Sequence, residues 1–189
     1  AGDGVIIKGT LKADNGLAVG DSLAAFLTSA TTTPVATAGY GLTISADDVS
    51  LKNLDITSFY AAIELSSGTD GLSLEDVDIS ATMVGIRKGT AANVSDFSMT
   101  GGSISDGYQG MFIGKANSTS GIFDGVSITG TKFEDLTFKG IYAEALSNAT
   151  ISDIEMTNVG EFGAGAWTGV NKGRFGNGID INLKHGSYA

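Results

Sequence analysis

The sequence predicts an all-β fold in which short parallel strands stack as the coils of one solenoid. Three observations lead to this prediction: a seven-residue pattern occurs five times, a second short strand follows each copy, and the chain holds 28 glycines but a single proline. Glycine suits many tight turns between short strands. Since one coil cannot bury its inward face alone, units of this size must stack on one another.

The repeated pattern reads apolar, polar, Asn/Asp/Gly, apolar, polar, apolar, Ser/Thr. Its alternation is that of a strand with one buried face. Asn, Asp and Gly tolerate left-handed backbone angles, so the third position predicts a sharp corner between two short strands. We expect all five copies to share one register. The copies occupy residues 51–57, 74–80, 94–100, 123–129 and 151–157.

The second strands carry an apolar residue at the centre, and a glycine precedes it in four of the five. We expect this central residue to face the core and its following neighbour to face outward. The second strands are AAIEL (61–65), VGIRK (84–88), QGMFI (109–113), KGIYA (139–143) and NGIDI (177–181).

The whole chain, 1–189, is read as one domain of roughly six to seven coils. One segment departs from the strand pattern: DSLAAFLTSA (21–30) predicts a short helical insertion that Asp21 or Ser22 caps. Because the first residues already resemble a buried strand, we expect this domain to be part of a longer protein.

Composition excludes several classes of function. The formal charge of −10 disfavours nucleic acid and anionic membranes as partners, because both need a basic surface. No run reaches the roughly 20 apolar residues of a membrane-spanning helix. With no Cys and one histidine, His185, a zinc site is excluded. Calcium remains a candidate ligand wherever acidic side chains converge.

The Asn/Asp corner in LKNLDI and its copies, together with the glycine–isoleucine strands, resembles the right-handed parallel β-helix of the pectate-lyase-like superfamily. The resemblance covers about residues 40–185, and the opening VIIKGTLKAD resembles an early coil of secreted bacterial members. It implies a single-stranded right-handed β-helix in a secreted or cell-surface bacterial protein. A shared fold does not establish a reaction.

No catalytic motif transfers with this resemblance. The Tyr/Asp-Pro-His-Glu cluster of mannuronan epimerases is absent, since the only proline is Pro34 in TTTPVAT. The arginine-plus-aspartate signature of pectate lyases is not found in a recognisable context either.

Stacking of the second strands predicts a ladder of outward side chains with acids, a base and two adjacent aromatics. Such a ladder suits an extended anionic polysaccharide, whose sugars stack on aromatic rings while charged groups contact hydroxyls and carboxylates. An alternative is that the ladder only stabilises strand pairing. The candidate ligand-binding residues on these strands are Glu64, Arg87, Phe112, Tyr142, Glu144 and Asp180.

The intervals between the repeated pattern and the second strand widen along the chain, from 7 residues (Ile56 to Ile63) to 23 (Met156 to Ile179). We expect the widening segments to form a wall beside the ladder. The long loop 160–178 adds Trp167 and Arg174 to the candidate site, because loops on a rigid scaffold often carry binding residues.

Two functions remain open. In the first, the protein binds an extended anionic polysaccharide along the outer strand face. Whether it also modifies the polymer as a lyase or epimerase is open; such a reaction would need a base near a neutralised carboxylate, for example Arg87 or Lys139 beside Glu64, Glu144 or Asp180. In the second, it is a noncatalytic structural or adhesive module. Solenoid ends present unpaired strand edges, which favour self-association.

Overall fold

The computed structural model describes residues 5–8, 39–66, 68–160 and 176–186, and all regular structure in these ranges is β-strand. The predicted helical insertion at 21–30 lies outside the described residues. The described ranges contain no helix that is long and apolar enough to cross a membrane. In chain order the strands are β1 (Val5–Lys8), β2 (Tyr40–Ile44), β3 (Ser50–Thr57), β4 (Ala61–Leu65), β5 (Thr69–Asp70), β6 (Ser73–Ser80), β7 (Val84–Lys88), β8 (Val94–Ser95), β9 (Ser98–Thr100), β10 (Ser103–Ser105), β11 (Gln109–Ile113), β12 (Phe123–Thr129), β13 (Lys132–Glu134), β14 (Lys139–Ala143), β15 (Leu146–Ser152), β16 (Glu155–Thr157) and β17 (Asn177–Ile181).

The strands form two parallel sheets, as expected for a β-solenoid. The front sheet has six strands in the order β17-β14-β11-β7-β4-β2, one from each successive coil. The other eleven strands form the sheet that completes each coil. The solenoid fold is therefore confirmed. The described residues complete about five coils, fewer than the six to seven expected.

Each coil turns at three corners, and a residue with left-handed backbone stands at every one. The φ angles at these fifteen positions lie between 47° and 71°. Asn, Asp and Gly fill most of them because they tolerate this conformation best. The first corner holds Asp48, Gly71, Asp96, Gly125 and Asn148; the second holds Asn53, Asp76, Gly101, Gly130 and Asp153; the third holds Ser58, Ala81, Asp106, Asp135 and Asn158.

The five copies of the repeated pattern do not share one register, so that prediction is wrong. The first two copies pair as expected, Leu51 with Leu74. In the third copy, however, Met99 rather than Val94 pairs with Leu74. Copies one, two and five surround the second corner, whereas copies three and four surround the first. The two corners need the same local chemistry, so the pattern cannot distinguish them.

The prediction that the widening segments form a wall beside the ladder is also wrong. The intervals from Met99 to Met111 and from Ile128 to Ile141 contain strands β10 and β13, which continue the eleven-stranded sheet beyond the second corner. The coils are nearly uniform: from Leu51 through Leu74, Met99 and Ile128 to Ile151 the steps are 23, 25, 29 and 23 residues. Only the interval from Met156 to Ile179 remains long, and its residues 161–175 lie outside the described ranges.

The predicted core residues of the front strands are confirmed in the middle coils. Ile63, Ile86, Met111 and Ile141 are at most 1% exposed, and the rings of Phe97, Phe123 and Phe133 fill the interior beside them. Ile179 is 40% exposed, since it lies on the last described strand of the stack.

The glycines before the central residues are required by packing. A Cβ on Gly85 would lie 2.7 Å from Cγ2 of Ile104 and 2.6 Å from the carbonyl oxygen of Gly110. Gly110 meets Phe133 and Gly140 meets Met156 in the same way. At Gly85, Gly110 and Gly140 the front strands thus lie too close to the next coil for a side chain, whereas β4 accommodates the methyl group of Ala62 at the same position.

We expect Gly85→Ala to lower the free energy of unfolding by about 1–3 kcal/mol, because the added methyl overpacks the interior. Gly39→Ala is the matched control, since a Cβ there meets no atom within 4 Å. Urea unfolding of both variants measures the difference. Equal midpoints for the two variants would contradict the packing explanation.

Candidate functional site

The predicted outward ladder is confirmed by the register of the front sheet. Glu64 pairs with Arg87, Arg87 with Phe112, Phe112 with Tyr142 and Tyr142 with Asp180. Neighbouring parallel strands lie about 4.8 Å apart, so these five side chains form one continuous row. We call the outward surface of the front sheet, with the residue just before each strand and the side chains of Lys139, Glu144 and Lys184 that bond the row or one another, the front face.

Six of the eight candidate residues lie within the described ranges. The row contains five of them, and Glu144 joins it through Tyr142, whose hydroxyl donates a 2.7 Å hydrogen bond to Oε1 of Glu144. Trp167 and Arg174 lie outside the described residues.

Glu64 and Arg87 form a largely buried ion pair. Nη1 of Arg87 lies 2.6 Å from Oε1 of Glu64 and also donates to the hydroxyl of Tyr40 at 3.1 Å. Oε2 of Glu64 is buried and has no hydrogen-bond partner. Burial raises the pKa of Glu64 above its usual value, although the charge of Arg87 opposes this shift. Burial lowers the pKa of Arg87, but attraction to Glu64 reverses the shift and raises it overall.

Phe112 and Tyr142 form a stacked aromatic pair, with ring centroids 5.8 Å apart and planes inclined by 29°. Nζ of Lys139 lies 3.9 Å from the centroid of the Tyr142 ring and 4.8 Å from that of Phe138. The same ammonium bonds the carboxylate of Asp180. The aromatic rings and the ion pair therefore hold one another in place.

Glu144 is the hub of a second polar cluster. Its carboxylate accepts hydrogen bonds from the Tyr142 hydroxyl, from the Lys184 ammonium and from the backbone amide of Lys115, the last at 2.9 Å. Burial raises the pKa of Glu144, but these bonds outweigh it and lower the pKa overall. The bond to Glu144 raises the pKa of Lys184, and burial raises that of Tyr142.

A second aromatic column on the front face was missed from the sequence. Tyr60, Tyr108 and Phe138 each stand one residue before a front strand. Tyr108 stacks on Phe138 at 5.2 Å and 14°, and Tyr40 lies 6.5 Å from Tyr60. The available signal was positional, since an aromatic residue precedes AAIEL, QGMFI and KGIYA directly.

The front face differs in charge from the rest of the molecule. It carries three acidic and three basic side chains, whereas the other described residues include fourteen acidic and five basic ones. An anionic ligand is repelled elsewhere but meets a neutral surface here. The charged side chains of the front face are Glu64, Arg87, Lys139, Glu144, Asp180 and Lys184.

The arrangement suits binding better than acid–base chemistry. Arg87 is committed to Glu64 and Lys139 to Asp180, so each basic group proposed for catalysis already holds a carboxylate. Within the described ranges, no three His, Cys, Asp or Glu side chains converge to hold a metal ion.

Comparison with family models, curated proteins and solved structures gives no match for this chain. The site is therefore argued from its own geometry.

We expect Arg87→Met to lower the free energy of unfolding by about 3 kcal/mol near neutral pH, because it leaves the Glu64 carboxylate buried and unpaired. Loss of Arg87 also raises the pKa of Glu64 further, so the deficit shrinks as the pH falls and Glu64 becomes protonated.

Lys52→Met is the matched control for this variant, because the Lys52–Glu75 pair is about half exposed and pairs of that kind contribute less than about 1 kcal/mol. Denaturant unfolding of both variants at neutral and mildly acidic pH measures the contrast. A deficit for Arg87→Met that does not change with pH would argue against the buried-carboxylate explanation.

Proposed function

We propose that this protein binds an extended anionic polysaccharide along the front face. The observation that supports the proposal is the coincidence, on one sheet, of two sets of stacked aromatic rings with equal numbers of acidic and basic side chains, whereas the other described residues are acidic in total. Aromatic rings stack on the apolar faces of sugars. A polymer lying along the stack of coils meets paired aromatic rings on the rungs of β11 and β14 and charged side chains on the neighbouring rungs.

Cations on the front face are held by carboxylates that a ligand can replace. In our proposal the carboxylates of the polymer compete for Lys139 and Lys184. Asp180 and Glu144, released from these cations, then accept hydrogen bonds from sugar hydroxyls. Exchange of one carboxylate partner for another leaves no buried charge unpaired, which keeps the cost of binding low.

We also propose that the chain is a right-handed β-helix of the pectate-lyase-like superfamily and a secreted or cell-surface bacterial protein. The Asn/Asp corners and the glycine-containing front strands support this reading. The proposal is for binding; modification of the polymer as a lyase or epimerase is a further possibility that the same experiment tests.

Calorimetric titration with polygalacturonate, alginate and a neutral glucan of similar length tests the proposal. We expect binding of at least one uronate polymer, no binding of the neutral glucan, and weakening with added salt. Tyr142→Ala should lower the affinity about tenfold, which corresponds to about 1.4 kcal/mol. Ultraviolet absorbance of the same mixtures detects unsaturated products if the polymer is cleaved by β-elimination.

Asp180→Asn gives the sharper comparison. The substitution frees Lys139 for the ligand, so we expect the uronate polymer to bind more tightly. Lys132→Gln is the control, because Lys132 pairs with Glu155 on another face. We expect this control to leave the affinity unchanged. If Asp180→Asn only destabilises the fold and leaves the affinity unchanged, this rung of the ladder serves strand pairing and the proposed exchange of carboxylate partners fails. If no uronate polymer binds the wild-type protein, the binding proposal itself fails.

A second candidate function is self-association as a structural or adhesive module. Three aliphatic side chains at the last described front strand, Ile179, Ile181 and Leu183, are 40–53% exposed, whereas those in the same inward column of the middle coils are buried. An exposed apolar row beside a strand edge favours pairing with another copy.

Sedimentation of the protein at increasing concentration tests this second candidate. We expect oligomers that Ile181→Asp abolishes and that Thr43→Asp, an outward position on the first front strand, leaves intact. A monomer at all concentrations would exclude self-association through this strand.

A further inference from the structure

Lys88 is a lysine inside the core. It ends strand β7 and pairs with Leu65 below and Ile113 above, in an inward column that is otherwise aliphatic. It is 0% exposed. Lysine is almost never fully buried unless its ammonium is fully hydrogen-bonded.

The ammonium of Lys88 is fully hydrogen-bonded, and by backbone alone. Nζ donates to the carbonyl oxygens of Gly89, Gly114 and Gly121 at 3.1, 3.2 and 2.8 Å. A protonated lysine has three N–H donors, which match these three acceptors. A neutral amine has two donors, and it would leave one buried carbonyl without a partner.

Two of these carbonyls belong to opposite ends of one loop. The loop 114–122 connects β11 to β12, and Gly114 begins it while Gly121 lies at its end. Both ends are therefore bonded to a single ammonium from the coil below. The coil below makes three further bonds to these ends: the amide of Gly114 donates to the carbonyl of Lys88 at 3.3 Å, the carbonyl of Ile122 accepts from the amide of Val94 at 3.0 Å, and the amide of Ile122 donates to Oδ1 of Asn93 at 3.1 Å.

The same loop borders the candidate site. The amide of Lys115, its second residue, donates to Oε2 of Glu144, and Oε1 of that carboxylate accepts from Tyr142. Movement at the start of the loop would therefore change how Glu144 is held beside the aromatic pair.

We propose that Lys88 is a proton-controlled clasp: its ammonium bonds both ends of the 114–122 loop, and loss of one proton leaves one of its three carbonyl partners without a donor and loosens the loop. The geometry predicts a loop that is held more tightly while Lys88 is protonated than after it becomes neutral, with the polar cluster at Glu144 responding to the change. This inference depends on the hydrogen bonds of Lys88 and holds whether or not the front face binds a polysaccharide.

The electrostatic surroundings place the transition at an accessible pH. Burial lowers the pKa of Lys88 to about 8, and the charge of Lys115 contributes to the shift. The other charged groups near this end of the strands are Glu144 and Lys184, which bond each other, and Glu64, which bonds Arg87. Lys115 is therefore the neighbour whose removal should move the transition.

Release of the loop is distinct from alkaline unfolding. The pKa of Lys88 is lower in the folded protein than the usual 10.5 of an unfolded chain. The unfolded state then binds more protons between about pH 8 and 10.5, so this group makes the free energy of unfolding rise with pH across that window. We therefore expect the loop to loosen within this pH window while the contribution of Lys88 to the free energy of unfolding does not fall.

Nuclear magnetic resonance of the ¹⁵N-labelled protein with ¹³C-labelled lysine, titrated from about pH 6.5 to about pH 9.5, tests the clasp. We expect the Cε signal of Lys88 and the amide signals of residues 114–122 to titrate together near pH 8. Lys115→Gln should move that common midpoint upward, because it removes a positive charge that lowers the pKa of Lys88. If the loop does not depend on Lys88, its amide signals should show no such shift in midpoint. Lys88→Arg, which keeps its charge, should remove the titration of the loop amides.

The wild-type protein alone can overturn the proposal, should Lys88→Arg fail to fold. A Cε signal of Lys88 that titrates near 10.5, or loop amides that do not change when Lys88 does, would show that the ammonium does not control the loop.

Discussion

Parallel hydrogen bonding between successive coils is the interaction on which the rest of this structure depends. It is maintained by three left-handed corners per coil, whose amides bond the coil above, as from Asp96 to the carbonyl of Asp124 and from Asp106 to that of Glu134. Because each coil repeats the same path, residues of the front sheet that are 21 to 38 positions apart in the chain become neighbours. The core, the front face and the carbonyl groups around Lys88 are all brought together by this stacking.

The front face uses cross-coil contacts in two ways at once. Opposite charges on neighbouring rungs, such as Glu64 and Arg87, stabilise strand pairing, and the stacked rings of Phe112 and Tyr142 do the same. The same contacts hold aromatic and charged groups in a fixed, outward row, which is what recognition of an extended polymer requires. These residues can therefore contribute both to the stability of the sheet and to ligand binding. Replacement of one carboxylate partner, with both unfolding and binding measured, separates the two contributions.

The interior contains a buried ammonium group where the backbone leaves the strand ladder. Gly89, Gly114 and Gly121 lie where connecting segments depart from the sheets, and their carbonyls lose the regular partners that a strand provides. Lys88 supplies the missing donors from within the aliphatic column. A buried charge thus compensates for an irregular loop, and the loop acquires a dependence on protonation that a wholly apolar core would lack.

The sequence by itself determined the five second strands, the corner chemistry and the row from Glu64 to Asp180, because alternation and left-handed preference are local properties of a few residues. It did not determine which corner each repeated copy surrounds, since Asp96 and Asp153 present the same local chemistry at different corners. It did not predict the second set of aromatic residues, Tyr60, Tyr108 and Phe138, because they stand before the front strands and so lie outside the strand alternation. The bond from Lys88 to Gly121, 33 residues away, was decided only by the tertiary structure, because closing the coils selects among registers that local preferences leave equal.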